Sequence, residues 1–226
     1  MYIDFHTHQS PELVGTWTRF HDFYSLKLID EIYLSRGLHP WGLSLEHEKN
    51  EVAFEELLIA FKTHSFMAVG ETGFDRYFRK DLSLESQEEI FYWHYDLAVT
   101  LKLPMILHIV HAHDYFLKVL KKIGTPKTSL VIHDFRSSRT DLQKYLKYPI
   151  FFSFGKSLLG STSKTPELLQ LIPDDRFFLE TDGELGLGIN QVYKKASLIK
   201  ELEIEELEKK LEKNFISLFP NYNFSK

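Results

Sequence analysis

The stretch PMILHIVHAHDYFLKVLKK, residues 104–122, contains the unit from which the fold of this 226-residue chain can be read. Residues 105–108 are an apolar run that ends in a histidine, which is typical of a buried strand. Residues 112–122 have apolar side chains at three- and four-residue spacing, which indicates a helix. The stretch therefore predicts a strand, a polar connection and a helix, in that order.

The same unit recurs along most of the chain. Further apolar runs predict strands at residues 2–7, 32–37, 68–70, 130–135, 150–154 and 177–181. Further helical patterns cover residues 84–101, 139–146 and 163–171, and two helices are predicted within residues 191–219. This alternation is typical of an α/β fold with a parallel sheet and helical crossovers. No linker-like segment interrupts it, so we expect one domain over residues 1–226.

The composition limits the possible functions. The chain has no cysteine, so disulfides, thiolate nucleophiles and sulfur-bound metals are excluded, and histidines and carboxylates remain as strong ligands. A formal net charge of −5 argues against a protein that coats nucleic acid by charge alone, although not against a nuclease with divalent cations in its site. The sequence shows no secretory signal and no membrane-length apolar run, so we expect a cytoplasmic protein without a membrane partner.

Six potential metal ligands stand at or near the ends of the predicted strands. They are His6, His8, Glu71, His108, His133 and Asp182. Because the carboxyl ends of the strands of a parallel α/β barrel form one rim, these side chains are expected to face one cavity. Their common placement predicts a metal site. His21, His47, His64 and His94 lack this placement and are interpreted as surface or structural residues, whereas His111 and His113 are left unassigned.

Four imidazoles and two carboxylates suit divalent Zn, Mn, Ni or Fe and, with water ligands, Mg. One ion does not need six ligands. The economical arrangement is two ions about 3.5–4 Å apart that share a carboxylate and activate a water. Such a pair can clamp a phosphate ester or polarise a carbonyl group. The residues alone therefore leave phosphoryl and acyl substrates open.

The order of the motifs resembles that of the TatD family of metal-dependent hydrolases. The matching motifs are D-F-H-T-H at 4–8, G-L-H-P at 37–40, G-E-T-G-F-D at 70–75, P-M-I-L-H at 104–108, I-H-D-F-R at 132–136, S-F-G at 153–155, L-E-T-D at 179–182 and N-F-I-S-L-F at 214–219. The resemblance implies a TIM-type (β/α) barrel of the amidohydrolase-like superfamily. It also implies a deoxyribonuclease or another phosphodiesterase, with DNA or another phosphodiester as the substrate.

The resemblance also implies how the ligands are divided. One metal would be held by His6, His8, Glu71 and Asp182, and the second by Glu71, His108 and His133. The catalytic residues would be Asp182, which would orient or deprotonate the attacking water, and Glu71, which would be shared by both metals. Residues 9–36 are too few for the usual helix and full strand, because a βαβ crossover needs about 30 residues or more. The barrel is thus expected to be reduced near its second strand and helix.

Four residues are candidate substrate contacts. Arg136 and Lys156 follow predicted strands and suit a phosphate; an ordinary surface charge is an equally good interpretation for Lys156 but a weaker one for Arg136, which stands three residues after the proposed ligand His133. His111 stands where the family has a basic residue, and His39, in a G-x-H-P-W sequence typical of a short branch of the family, can line the cavity. Two further acids, Asp4 and Asp75, are expected to support the site without binding metal.

Three functions remain open from the sequence. The leading one is a divalent-metal phosphodiesterase, for example a 3′ to 5′ exonuclease that acts on ends of single-stranded DNA. The second is a metal-dependent amidase, esterase or lactonase, although many related barrels bridge their metals with a carbamylated lysine where this chain has Glu71. The third is a non-catalytic binding protein, against which the presence of all six ligand positions argues. The physiological metal and the oligomeric state are not predicted.

Overall fold

The computed structural model describes residues 2–8, 24–28 and 31–220 of the chain. Seven strands form one sheet in the order β1 to β7: Tyr24–Leu28, Glu31–Arg36, Ala68–Asp75, Met105–Val110, Leu130–Ile132, Ile150–Phe154 and Phe177–Leu179. Strands β2 to β7 are parallel, and β1 pairs antiparallel with β2. The predicted α/β class with a parallel, TIM-barrel-like sheet is therefore confirmed.

Helices follow most of the strands. In chain order, α1 to α7 are His47–Thr63, Leu84–Leu101, His113–Ile123, Arg139–Tyr145, Thr165–Leu171, Ile189–Lys200 and Ile204–Leu218. Two short 3₁₀ turns, Pro40–Gly42 and Lys156–Leu158, interrupt the loops. No helix among the described residues is both long enough and apolar enough to span a bilayer.

The amino-terminal stretch lies beside the last strand. The backbone N–H of Phe5 donates to the oxygen of Leu179 at 2.9 Å, and the N–H of Asp182 donates to the oxygen of His6 at 2.9 Å. Because one bond joins residue 5 to residue 179 and the next joins residue 6 to residue 182, the two segments run in the same direction. Only Asp4 has β-bridge geometry, and the strand predicted over residues 2–7 is correspondingly shorter.

The interior of the curled sheet places apolar side chains beneath the candidate ligands. Ile106, Val131 and Phe178 belong to one buried interior cluster, which also includes Phe215 of α7. Because alternate residues of a strand face the same side, the residue two positions after each of these three strand residues points inward as well. Those residues are His108, His133 and Glu180, and all three are buried. The two-residue period of the strands thus places these three polar side chains inside the curled sheet, at the carboxyl ends of the strands.

The outer face of the sheet packs against the helices. Leu107 of β4 and Ile132 of β5 join Phe116, Val119 and Leu120 of α3 in the largest buried cluster. All five are fully buried, and burial of each such side chain contributes about 1.5–3 kcal/mol. This packing fixes the strands whose ends carry the candidate ligands.

Two elements near residue 40 differ from the expectation. Helix α1 is missing from the sequence prediction because its apolar residues do not form one stripe; Val52 and Ile59 are more than half exposed. Before β2 the chain forms the antiparallel strand β1, and β2 begins one residue earlier than expected. The predicted reduction of the barrel concerns residues 9–36, of which residues 9–23, 29 and 30 lie outside the described residues.

Candidate metal centre

An irregularity in β3 directs Glu71 into the interior. The register between β3 and β4 shifts between Val69 and Thr72, so one extra residue is accommodated, as in a β-bulge. Gly70 has φ +134° and Gly73 has φ +144°, and a Cβ would lie 2.3 and 2.2 Å from β4 carbonyl oxygens at these positions. Only glycine fits there. The sequence G-E-T-G is therefore what allows a carboxylate at this place.

The Glu71 carboxylate is the centre of the site. Its Oε1 lies 2.5 Å from His133 Nε2, 2.9 Å from His108 Nδ1 and 3.3 Å from His39 Nε2. Its Oε2 lies 3.4 Å from His6 Nε2. Four imidazoles from four separate segments of the chain thus surround one buried carboxylate.

The Asp182 carboxylate adds a second acidic group beside the first. Its Oδ1 lies 2.9 Å from His8 Nε2 and 3.6 Å from His6 Nε2. Since His6 also contacts Glu71, it connects the two carboxylates. All six predicted ligands are therefore brought together, and His39 joins them.

The charge of Glu71 is not balanced by a lysine or arginine from the described part of the chain. Among the described residues, no Lys or Arg forms an ion pair with Glu71. Burial would raise the pKa of Glu71, but His133 and His39 outweigh it and hold that pKa well below its usual value. Burial lowers the pKa of His6 to about 4, so this imidazole is neutral at pH 7 and keeps a lone pair on one ring nitrogen. A buried carboxylate beside a neutral imidazole such as His6 is an environment that favours a cation.

The donor atoms are close enough to share ions. Three groups have ligand atoms within 4.8 Å of one another: His6 with His8 and Glu71, His6 with His133 and Asp182, and His39 with Glu71 and His108. Imidazole nitrogen and carboxylate oxygen are the ligands preferred by Zn, Mn, Ni and Fe. These side chains therefore fit divalent metal ions.

His39, a predicted substrate contact, lies directly beside the Glu71 carboxylate, 3.3 Å from it. The N–H of Trp41 donates to His39 Nδ1 at 3.1 Å, which leaves the proton of the neutral ring on Nε2. Burial lowers the pKa of His39 to about 4, so the ring is neutral at pH 7. Nε2 then donates to Glu71, so in the group of His39, Glu71 and His108 only Glu71 and His108 offer a lone pair to a metal. His39 is thus placed as a hydrogen-bond donor that orients the central carboxylate.

Two further carboxylates hold the histidines from behind. Asp75 Oδ2 lies 3.0 Å from His108 Nε2, and Glu180 Oε1 lies 3.5 Å from His133 Nδ1. Such partners fix the ring orientation and the tautomer of a metal-binding histidine. Burial raises the pKa of Glu180 to about 7. Sequence reasoning missed Glu180, although it stands two residues before Asp182 and thus has the same strand parity.

Asp4 supports the last ligand, as expected. Its carboxylate accepts the N–H of Thr181 at 2.9 Å and the Thr181 hydroxyl at 2.6 Å. These bonds fix the backbone directly before Asp182, whose own φ is +50°. Asp4 therefore positions a candidate ligand and does not itself join the cluster.

The cluster opens into a cavity of about 740 Å³. Its base includes His108, His133 and Asp182, and its wall includes Trp41, Tyr77, Phe78, His111 and Arg136. Arg136 is bonded to Asp134, and its side chain is 61% exposed. Lys156 pairs with Glu184 at 2.6 Å and lies outside the residues that line this cavity. Of the four predicted substrate contacts, Arg136 and His111 thus line the open space.

Comparison with known proteins gives a consistent result. A family model described as TatD related DNase matches residues 14–220. The uncharacterized metal-dependent hydrolase YabD of Bacillus subtilis is 28% identical over 162 residues, which are 70% of this chain and 62% of that protein. A Klebsiella pneumoniae protein named 3′-5′ ssDNA/RNA exonuclease TatD is 34% identical over 149 residues, 65% of this chain and 55% of that protein. The matches thus span less than two thirds of these relatives.

A solved structure supports the same relationship. The crystal structure of the TatD homologue YjjV from Escherichia coli superimposes with a TM-score of 0.72 and 26% identity. The superposition covers 84% of this chain and 77% of that one. Together with the family match and the order of the motifs along the sheet, this shows that the chain belongs to the TatD related DNase family.

Proposed function

We propose that this protein is a divalent-metal-dependent phosphodiesterase that removes nucleotides from the 3′ end of a nucleic acid strand. The observation that carries the proposal is the Glu71 carboxylate, buried among four imidazoles with no Lys or Arg ion pair from the described residues. Relatives named as 3′-5′ exonucleases support the choice of a phosphodiester. A glutamate at the bridging position also favours it over the amidase, esterase or lactonase alternative.

The ligands would be divided as the family resemblance implies. His6, His8 and Asp182 would hold one ion, His108 and His133 the other, and Glu71 both. Divalent ions here would supply positive charge to the ester oxygens and make a water nucleophilic at neutral pH. Glu71 has only 2% of its side chain exposed, so it serves as a ligand and does not reach the substrate.

Asp182 is the candidate general base. Burial would raise its pKa, but the hydrogen bond from His8 and the charge of His133 lower that pKa to about 2, so the carboxylate is ionised at neutral pH. Its side chain is 38% exposed and borders the cavity, so a water can reach it. A proton taken from that water would reside on Asp182 while the new P–O bond forms and the P–O bond to the leaving oxygen of the strand breaks, and that oxygen would leave with a proton.

Arg136 is the candidate phosphate contact. Its guanidinium stands at the cavity wall, where it is bonded to Asp134. A fork of N–H groups suits two oxygens of one phosphate. When a phosphate enters, Arg136 would contact it while Asp134 keeps the guanidinium in place.

The test is an activity assay with defined metals. Protein stripped by a chelator is loaded separately with Mg, Mn, Zn, Ni or Fe(II) and given a single-stranded oligonucleotide labelled at its 5′ end. We expect a ladder of products shortened from the 3′ end, and its disappearance in Asp182→Asn. Glu184→Gln, which alters an exposed carboxylate paired with Lys156, is the matched control. Hydrolysis of acyl esters without hydrolysis of any phosphodiester would overturn the proposal.

A further inference from the structure

We propose that Trp41, Tyr77 and Phe78 form a platform on which unpaired bases of the substrate stack. The inference rests on the proposed function, because the bases belong to the strand whose phosphate is cleaved. It adds a second kind of contact to that function. The metal centre and Arg136 would hold the backbone, while these three rings would hold the bases.

The three rings are exposed and contiguous. Trp41 is 46% exposed, Tyr77 52% and Phe78 59%, which is unusual for large aromatic side chains. The centroid of Phe78 lies 4.8 Å from that of Trp41 and 4.8 Å from that of Tyr77. A contiguous exposed apolar patch of this kind marks a binding site more often than a random surface. We call these three side chains the aromatic platform.

The aromatic platform continues directly into the metal centre. Its three residues line the same cavity as His108, His133 and Asp182. The Trp41 ring lies 5.0 Å from the ring of His39 and 5.8 Å from that of His108. A strand with its phosphate at the metal centre would therefore have its neighbouring bases beside these rings.

The aromatic platform is held in place by one buried carboxylate. Asp75 Oδ2 accepts the indole N–H of Trp41 at 2.6 Å. Its Oδ1 accepts the backbone N–H groups of Tyr77 at 2.8 Å and Phe78 at 2.7 Å. Asp75 also contacts His108, so one residue fixes both the platform and a candidate metal ligand. The rings are thus positioned through polar bonds, and they do not need burial to hold them.

A buried arginine stiffens the loop that carries the tryptophan. Arg79 donates to the carbonyl oxygen of Pro40 at 2.6 Å and to that of Leu43 at 2.8 Å. Its Nε is bonded to Asp81 at 2.9 Å, and the residue is 9% exposed. Because the loop is fixed before any ligand binds, little conformational entropy is lost when a base stacks on Trp41.

The chemistry of these rings favours bases of a single strand. Every nucleobase has a π face, so aromatic rings bind all four, and stacking on proteins is largely independent of sequence. Lys80 Nζ lies 5.1 Å from the centroid of the Tyr77 ring and places a positive charge beside the platform, which suits the phosphates that join successive bases. In a duplex the base faces are already stacked on each other. The platform would therefore select unpaired ends.

The experiment compares removal of the rings with their exchange. The double variant Tyr77→Leu, Phe78→Leu keeps apolar bulk without π faces, and Tyr77→Phe, Phe78→Tyr keeps both rings. Neither change removes the backbone N–H groups that bind Asp75. The substrates are a single-stranded oligonucleotide and the same oligonucleotide with abasic sites at its 3′ end.

The expected result is a change in KM that depends on the bases. For the normal oligonucleotide, the leucine variant should raise KM about tenfold for each stacked base that is lost, with kcat little changed. For the abasic oligonucleotide, the leucine variant and the wild type should have equal KM. The ring-exchange variant should behave as the wild type with both substrates. An equal loss on normal and abasic substrates would overturn the inference.

A binding measurement separates this inference from the proposed function. Chelator-treated protein, which cannot cleave, is titrated into an oligonucleotide with 2-aminopurine near its 3′ end. Stronger fluorescence quenching by the wild type and the ring-exchange variant than by the leucine variant, in which only Trp41 of the platform remains, would support the platform even if the loaded protein cleaved no nucleic acid. Equal quenching by all three proteins would refute the platform and leave cleavage unaffected. The oligomeric state of both proteins is measured as well. If the wild type were oligomeric, the leucine variant monomeric and the base dependence of KM unchanged, the three rings would form a protein interface and the platform would be refuted.

Discussion

Two groups of histidines are buried in this protein, and their nitrogens have different partners. In the metal cluster, His6, His108 and His133 face the carboxylate of Glu71. In the scaffold, His94 accepts the N–H of Leu38 at Nε2, at 2.8 Å, and donates from Nδ1 to the oxygen of Ile90, at 2.7 Å. Burial is similar in both groups. What distinguishes a candidate ligand is therefore the carboxylate it faces.

His113 shows that closeness in sequence to a candidate ligand does not make a histidine a candidate ligand either. It lies five residues after His108, and the sequence left it unassigned. In the structure its Nε2 donates to the oxygen of Arg136 at 2.9 Å, and its Nδ1 contacts the Tyr145 hydroxyl at 3.0 Å. His113 thus belongs to the scaffold group, and it fixes the backbone of the candidate phosphate contact.

The largest effect is expected when the common partner of the cluster is neutralised. Glu71→Gln keeps the shape but supplies a weakly coordinating amide, so at least one metal equivalent should be lost. The kcat on bis(p-nitrophenyl) phosphate should fall on the order of a thousandfold. Metal content by mass spectrometry and kcat are measured together, with the exposed Glu51→Gln as the control. Full metal content in Glu71→Gln would show that the Glu71 carboxylate does not distinguish the candidate ligands from the scaffold histidines.

The scaffold group is tested by the dependence of stability on pH. Burial lowers the pKa of His94 to about 4, below the value of about 6.5 in an unfolded chain. Between these values the unfolded state binds the extra proton, so the free energy of unfolding falls as the pH drops from about 6.5 to 4. The loss amounts to about 3 kcal/mol. In His94→Gln this contribution should be absent.

Urea unfolding of chelator-treated protein at pH 7 and pH 4 measures this difference. Other buried histidines also change the stability over this range, His6 and His39 in the same direction and His108 and His133 in the opposite one, so only the difference between the wild type and His94→Gln is informative. The variant should lose about 3 kcal/mol less than the wild type over that range. Identical losses would mean that His94 is not held neutral by the scaffold.

A smaller effect is expected from the residue that supports both a ligand and the platform. Asp75→Asn weakens the hold on His108, so metal affinity should fall about 10- to 100-fold. Because the platform also loses its anchor, KM for a single strand should rise in the same variant. Asp96→Asn, on the exposed side of α2, is the control. A change in KM at unchanged metal affinity would separate the two roles of Asp75.

The smallest effect is expected at the histidine that donates to the cluster. His39→Gln offers an amide N–H to Glu71, whereas His39→Phe offers none. The phenylalanine variant should lose about tenfold in kcat at unchanged metal stoichiometry, and the glutamine variant should lose less. Loss of one metal equivalent in both variants would show that His39 is a metal ligand, like His6, His108 and His133.

The sequence predicted the sheet and the convergence of the candidate ligands for a simple physical reason. Strands covered on both faces are apolar, so a histidine or carboxylate at a strand end stands out, as His108 and Asp182 do. The shared rim of a parallel sheet then brings such residues together. This logic needs only the period of the pattern and no side-chain detail.

Other features were not accessible to this logic. The aromatic platform was missed because aromatic residues are normally core, and only the Asp75 bonds reveal why these rings stay exposed. The contact of His39 with Glu71 was not predicted, because the proton position on its ring depends on the backbone N–H of Trp41. Both depend on hydrogen bonds between segments far apart in the sequence or on local turn geometry, neither of which has a periodic signature.

The way Asp75 holds the loop after β3 has a consequence for the substitutions that this loop can accept. Its Oδ1 binds main-chain N–H groups at positions 77 and 78, which every residue except proline provides. Side chains at these two positions are therefore free to change over generations while the backbone that presents them stays where it is. Substitutions at these two positions should therefore change what the loop presents to the cavity while the contacts of Asp75 with the loop backbone and with His108 remain.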